Sequence, residues 1–319
     1  MSSSEQTKNE VGCYFNDIKP IEVFEYPSQA SKLIWNVNSD NILQTSSQII
    51  EFIKSNKIPI QMTLYLIDIF SQIREKDIKL FTELYKKILN EFSCLIKPEN
   101  EKLAMLLYYR GFKFENFESE MKEEKILNLY PTESPLYYIA WDKVDDLKSK
   151  FPNLDINEKI NEITPLDCSI KYGSELCFNY LKNLGAKYTK YSEMYAVQGG
   201  NTNIFMEMIE DGKSFDNMIN TALDYHNYEI ANYLKSNFGQ TFDSIAESMH
   251  FGNYDVASYL LSNGGNINKI YILFIFTFLI VLSNSLSFHF YRCFIGFSFF
   301  SYLPMCYRVF FHFIFIIVL

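Results

Sequence analysis

Several things are missing from this chain of 319 residues, and each absence narrows what it does. Its six cysteines, at 13, 94, 168, 177, 293 and 306, include no Cys-x-x-Cys pair, which argues against a disulfide framework and for a reduced setting. No Asn-x-Ser/Thr sequon occurs, and Met1 to Glu10 is polar, so no secretory signal peptide is expected. No dense Lys/Arg cluster is present to hold phosphates, so nucleic acid is not expected as a partner. Walker, dinucleotide and Ser/His/Asp patterns are also lacking. Gly199-Gly200 is not followed by Gly-Lys-Ser/Thr, and Asp145 and Asp146, being neighbours on a helix, point apart. The chain is expected to be no enzyme and to need no cofactor, metal or small-molecule substrate.

What is present is uneven. The chain is 48% apolar and 21% charged, too apolar for disorder of the charged kind. All 38 acidic residues lie before residue 271, whereas Tyr271 to Leu319 holds only Arg292 and Arg308 as charges and 13 of the 29 phenylalanines. A polar body therefore carries a greasy tail. After an expected polar leader over 1–30, apolar residues recur at helical spacing. Ile49, Ile50, Phe52 and Ile53 mark one helix; Leu64, Leu66, Ile67 and Phe70 mark a second, which Pro59 opens in its first turn. Asp77 opens a third helix with Leu80, Phe81, Leu84, Ile88, Leu89 and Phe92 on one stripe, and a fourth runs from about Glu99 to Arg110 before Gly111. The charged run Lys122–Lys125 reads as a solvated face. Residues 31–130 are thus an all-α region of antiparallel helices.

The second half repeats itself. Asn227-Tyr-Glu-Ile-Ala-Asn-Tyr-Leu234 and Asn253-Tyr-Asp-Val-Ala-Ser-Tyr-Leu260 lie 26 residues apart with five identities in eight. Asn201 to Met208 and Ser174 to Leu181 fall in the same register. Each copy follows a shorter apolar helix and ends at a glycine, Gly185, Gly212, Gly239 or Gly264. Thr164-Pro165-Leu166-Asp167-Cys168-Ser169, with Gly173 and Leu184-Gly185-Ala186 following, resembles the ankyrin repeat, with Asp167 and Ser169 where that signature has His and Ala. Ser134-Pro135-Leu136 resembles the same opening. Asn153 to Asn157 and Gly265 to Asn268 resemble the finger that follows an ankyrin helix pair. Spacings of 26 and 27, against about 33 for an ordinary repeat, leave no room for a full finger. The whole resembles a short-repeat ankyrin family of unicellular eukaryotes, over roughly 134–268.

That resemblance implies an all-α array of about five helix–turn–helix units after the N-terminal helices, serving as a protein–protein interaction scaffold with an unknown protein partner. Tyr191, Tyr195 and Tyr225 are the candidate partner-binding residues, because aromatic anchors near turns suit interface hot spots. Tyr180, Tyr233 and Tyr259 fall on the second-helix stripe and read equally well as core. His226 and His250, 24 apart near the ends of successive first helices, read as turn residues, since no third ligand completes a metal set. Cys168 and Cys177 read as small core residues.

The tail over 270–319 has two open readings. Ile270 to Tyr291 is a run of 22 uncharged residues, long enough for one membrane span, with a second after Arg292; the body would then be cytoplasmic and anchored by its C-terminal end. The other reading is translated AT-rich non-coding sequence, since the tail begins where another unit should start. A second role, an integral membrane protein with a regulatory repeat domain, ranks lower because almost no charge lines the tail.

Overall fold

Residue 15 and residues 18–119 and 121–264 are described in the computed structural model, and they form an all-α structure with no strand among the described residues. The tail over 270–319 and the start of the leader lie outside the described residues.

Six helices come first: α1 Glu25–Trp35, α2 Ile42–Lys54, α3 Ile60–Ile73, α4 Ile78–Glu91, α5 Glu101–Tyr109 and α6 Glu123–Leu127. The apolar stripes are what bury them. Leu64, Leu66, Ile67 and Phe70 of α3 and Phe81, Leu84, Tyr85 and Ile88 of α4 are all inaccessible to solvent or nearly so, and each such side chain stabilises the fold by about 1.5–3 kcal/mol. Local capping differs in detail from expectation. Pro59 precedes α3 in an extended conformation, one residue before its first turn. Asp77 precedes α4 but caps nothing, because its carboxylate accepts from Arg74 Nε at 3.0 Å and Nη2 at 2.6 Å instead. The start of α5 is capped twice: Asn100 accepts from the Lys102 amide, and Asp68 of α3 accepts from the Glu99 and Asn100 amides at 2.8 and 3.0 Å.

Ten helices follow as five pairs: α7 Pro135–Ala140 with α8 Val144–Lys150, α9 Pro165–Lys171 with α10 Glu175–Asn183, α11 Ser192–Gly199 with α12 Thr202–Glu210, α13 Ile219–Asp224 with α14 Tyr228–Phe238, and α15 Ile245–His250 with α16 Tyr254–Ser262. The first helices pack side by side from α7 through α15, and α8, α10, α12 and α14 pack in a second row. The repeated residue before each second helix ties the rows together. Ser174 Oγ donates to Ala140 O at 3.2 Å, Asn201 Nδ2 to Gly173 O at 3.2 Å, Asn227 Nδ2 to Val197 O at 2.7 Å and Asn253 Nδ2 to Leu223 O at 2.6 Å. Each reaches back one pair to a carbonyl in or just after the last turn of a first helix, where helical bonding ends. This is the physical reason for asparagine at 26-residue spacing. The terminating glycines Gly185, Gly212, Gly239 and Gly264 all have positive φ.

One expectation needs correction. The leader is not irregular to residue 30, since α1 starts at Glu25 and accommodates Pro27 within its first turn. Its buried face is largely serine (Ser28 and Ser31 beside Ala30 and Ile34), so it lacks the apolar stripe that marks a helix in sequence. The N-terminal helices also reach the last pair. The turn Glu22–Phe24 and α1 pack against α16, the last helix described, and one apolar core runs from Phe15 to Leu260.

Candidate interaction surface

The turns between first and second helices form a row, and the protein's own N-terminal helices cover much of it. At the second pair, Lys76 Nζ donates to Tyr172 O at 3.0 Å, and Lys171 pairs with Glu75 at 3.2 Å. At the fourth, the His226 ring stacks on Trp35 with centroids 4.2 Å apart, and Phe70 meets it edge-on at 5.1 Å. At the fifth, Tyr65 O–H bonds His250 Nδ1 at 2.5 Å. Ser28 Oγ donates to Asp255 at 2.5 Å, Lys32 pairs with the same carboxylate, and Ser31 Oγ donates to Gly252 O at 2.7 Å. Gly252 has φ +73°, and a Cβ there would stand 2.7 Å from Ser31 Oγ and 2.9 Å from Leu66 and Phe70 atoms. Arg74 Nη1 donates to the Trp35 carbonyl, closing the end of α1. A cavity of about 270 Å³ remains at this seam, bounded by Phe15, Lys32, Trp35, His226, Tyr228 and Asp255.

The three candidate tyrosines do not sit together. Tyr191 and Tyr195 form a pair with ring centroids 6.3 Å apart at the start of α11, and Tyr191 is 40% exposed. The Lys159 and Lys190 ammonium groups lie 5.9 and 4.9 Å from the Tyr191 ring centre. Tyr188 stands nearby, its hydroxyl donating to Asp211 at 2.6 Å. Tyr225 is placed elsewhere. It is half-buried at the covered turn row, its hydroxyl pKa raised by burial and then by Glu75 of the N-terminal region. It was expected as an exposed anchor because a turn position is normally open, and here another part of the chain lies over it. Trp35, Tyr65 and Gly252, which make the seam with Phe70, carry no local signal of it in the sequence.

The remaining candidates have structural explanations. Cys168 and Cys177 are buried, with thiols directed to Leu136 O and Tyr138 O of α7, and burial raises both thiol pKa values, that of Cys168 to about 12. Among the described residues no group of three or more His, Cys, Asp or Glu is placed to hold a metal ion. His226 Nε2 donates to Phe251 O at 2.7 Å, and burial lowers the ring's pKa to about 4. No described helix is long and apolar enough to cross a membrane.

One carboxylate stands apart. Asp224, at the end of α13, is pushed from 3.8 up to about 8, by burial first and by Glu247 of α15 second. A raised carboxyl favours folding only while protonated, so its contribution is full below 3.8 and lost as pH rises through about 8. Asp224→Asn is therefore expected to raise stability at pH 8.5 by about 1–2 kcal/mol, a figure reduced for the group's partial exposure, and to change little near pH 4. Urea unfolding at the two pH values checks this; equal effects at both would refute it.

No protein-family model matches the chain, and no curated protein or solved structure matches it either.

Proposed function

We propose that the five helix pairs are short ankyrin-like repeats and that the protein is a non-catalytic interaction scaffold, recognising a partner protein through the edge around Tyr191 and Tyr195. The observation that carries this reading is the pairing of an exposed tyrosine with a second tyrosine, with the Lys159 and Lys190 ammonium groups against the exposed ring, on a two-row array. Aromatic rings of this kind supply large contact area at small entropic cost. The repeat assignment is supported by Thr164, whose hydroxyl accepts from the Asp167 amide at 3.1 Å ahead of Pro165 at the first helical position. It is supported as well by the ladder of Ser174, Asn201, Asn227 and Asn253 at near-constant spacing.

Because the N-terminal helices occupy the turn row, the recognising surface is the opposite edge, at the links between pairs. Residues 270–319 would tether this scaffold to a membrane. The test is affinity capture with the full chain, comparing wild type with the double variant Tyr191→Ala, Tyr195→Ala. At least one saturably bound protein should be lost from the double variant while its far-ultraviolet circular dichroism stays that of wild type, although Tyr195, partly packed against the core, makes the variant less stable. Tyr225→Ala should do the reverse, lowering stability and sparing capture. Retention of every bound protein by the double variant would overturn the assignment.

A further inference from the structure

The repeated unit changes along the array at one buried position. Four residues after Ser174 and Asn201 stand Phe178 and Phe205, whereas four after Asn227 and Asn253 stand Ala231 and Ala257. All four side chains are buried. The work of the phenylalanine is visible where α12 meets α14. The Phe205 ring lies 4.5 Å from that of Phe215, three residues past Gly212, and 5.6 Å from that of Tyr233 on α14. Between α14 and α16 both partners of that ring recur. Phe242 stands three residues past Gly239, Tyr259 holds on α16 the position of Tyr233, and their ring centroids are 6.0 Å apart. With Ala231 where α12 has Phe205, the unit itself brings no third ring to them, and direct contact between α14 and α16 is slight.

Phe15 brings that ring. It meets Phe242 edge-on at 4.9 Å, and the Lys235 ammonium group lies 5.4 Å from it and 5.6 Å from Tyr259. The side chain is buried, 217 positions away from the helix that receives it. Its backbone is held at matching places. The Phe15 amide donates to Asn232 Oδ1 of α14 at 3.1 Å, and the Ile21 amide to Ser258 Oγ of α16. Asn232 and Ser258 are one position of the unit, five residues past Asn227 and Asn253, and on α12 that position is the exposed Met206. Ile18 and Phe24 are buried as well, with Phe24 5.7 Å from Tyr254 of α16. Equivalent groups of two successive units thus receive both the ring and the amides of the N-terminal segment.

We propose that the space between α14 and α16 is a docking site for an aromatic residue carried on a peptide segment, and that the chain fills it with Phe15, which supplies the ring that Phe205 supplies one unit earlier. The chemistry is that of peptide capture, in which backbone N–H groups fix the segment and a pocket selects its side chain. The last two pairs are completed by residues from the other end of the chain. A partner offering an aromatic side chain to this site has to displace Phe15.

A double-mutant cycle in the full chain tests the assignment, with folding constants from urea unfolding. Phe15→Ala should lower the folding constant by about 100-fold, through loss of a buried ring and the void it leaves. Ala231→Phe, which places a ring on α14 while Phe15 is still present, should lower it about 10-fold by overpacking. It should also expel Phe15, so that chymotrypsin cuts after residue 15 about 10-fold faster or more while α3 and α4 stay intact. In the double variant the two rings no longer compete, and its constant should exceed that of Phe15→Ala by about 10-fold. Independent effects would instead multiply to a loss of about 1000-fold. That multiplication, or a Phe15 that stays protected in Ala231→Phe, would overturn the proposal. If Phe15→Ala does not fold, a folded double variant supports the proposal and an unfolded one overturns it.

Discussion

Gly252→Ala is expected to cost about 2–4 kcal/mol of folding stability. Two effects add. The residue sits at φ +73°, in the left-handed region where a side chain is strained by about 1–2 kcal/mol. The new methyl would also stand within 3 Å of Ser31 Oγ, a Leu66 methyl and the Phe70 ring, which belong to α1 and α3 and are themselves packed. Relief requires the N-terminal helices to withdraw, and withdrawal stretches the Ser31 bond to Gly252 O. Gly239→Ala separates the two effects, because it has φ +62° and open space around its Cβ. It should cost only about 1 kcal/mol, the backbone part. Urea unfolding of both variants gives the comparison. Equal losses would mean that the close approach at Gly252 contributes nothing.

Asp167→Ala is the second large effect, at about 2–4 kcal/mol. Asp167 is almost fully buried in the first turn of α9, where a negative charge meets the positive end of the helix. One carboxylate oxygen accepts from Thr189 Oγ1 at 2.6 Å and the other from Ser192 Oγ, both belonging to the next helix pair. Alanine strands two hydroxyls at the junction of the second and third pairs and removes the favourable charge. Asp167→Asn retains one acceptor and should lose only about 1 kcal/mol. Denaturant midpoints check the order. An alanine variant within 0.5 kcal/mol of wild type would show that the junction is held by packing alone.

The legible and illegible parts of the molecule divide along range. The spacing of Ser174, Asn201, Asn227 and Asn253 pointed to second helices just after each of them, and α10, α12, α14 and α16 begin at Glu175, Thr202, Tyr228 and Tyr254. The apolar stripes of α3 and α4 were equally plain, since a helix of period 3.6 writes its buried face into the order of residues. Tyr191 was nameable as an exposed aromatic by its place near a turn. Tyr225, by the same rule, was not distinguishable from it.

What the sequence determined by itself is the local content: helices throughout the described residues, paired by tight turns, with a repeated serine or asparagine just ahead of each second helix. These follow from periods and capping preferences within about thirty residues. Only the tertiary structure decided that α1 lies on α16, that His226 rests on Trp35, and that Gly252 admits α1 and α3. The contacts Ser28–Asp255, Ser31–Gly252 and Ile21–Ser258 join residues more than 220 positions apart through single polar atoms. A hydrogen bond of that kind leaves no periodic trace at either end, because it depends on which two faces meet and not on how either face is patterned.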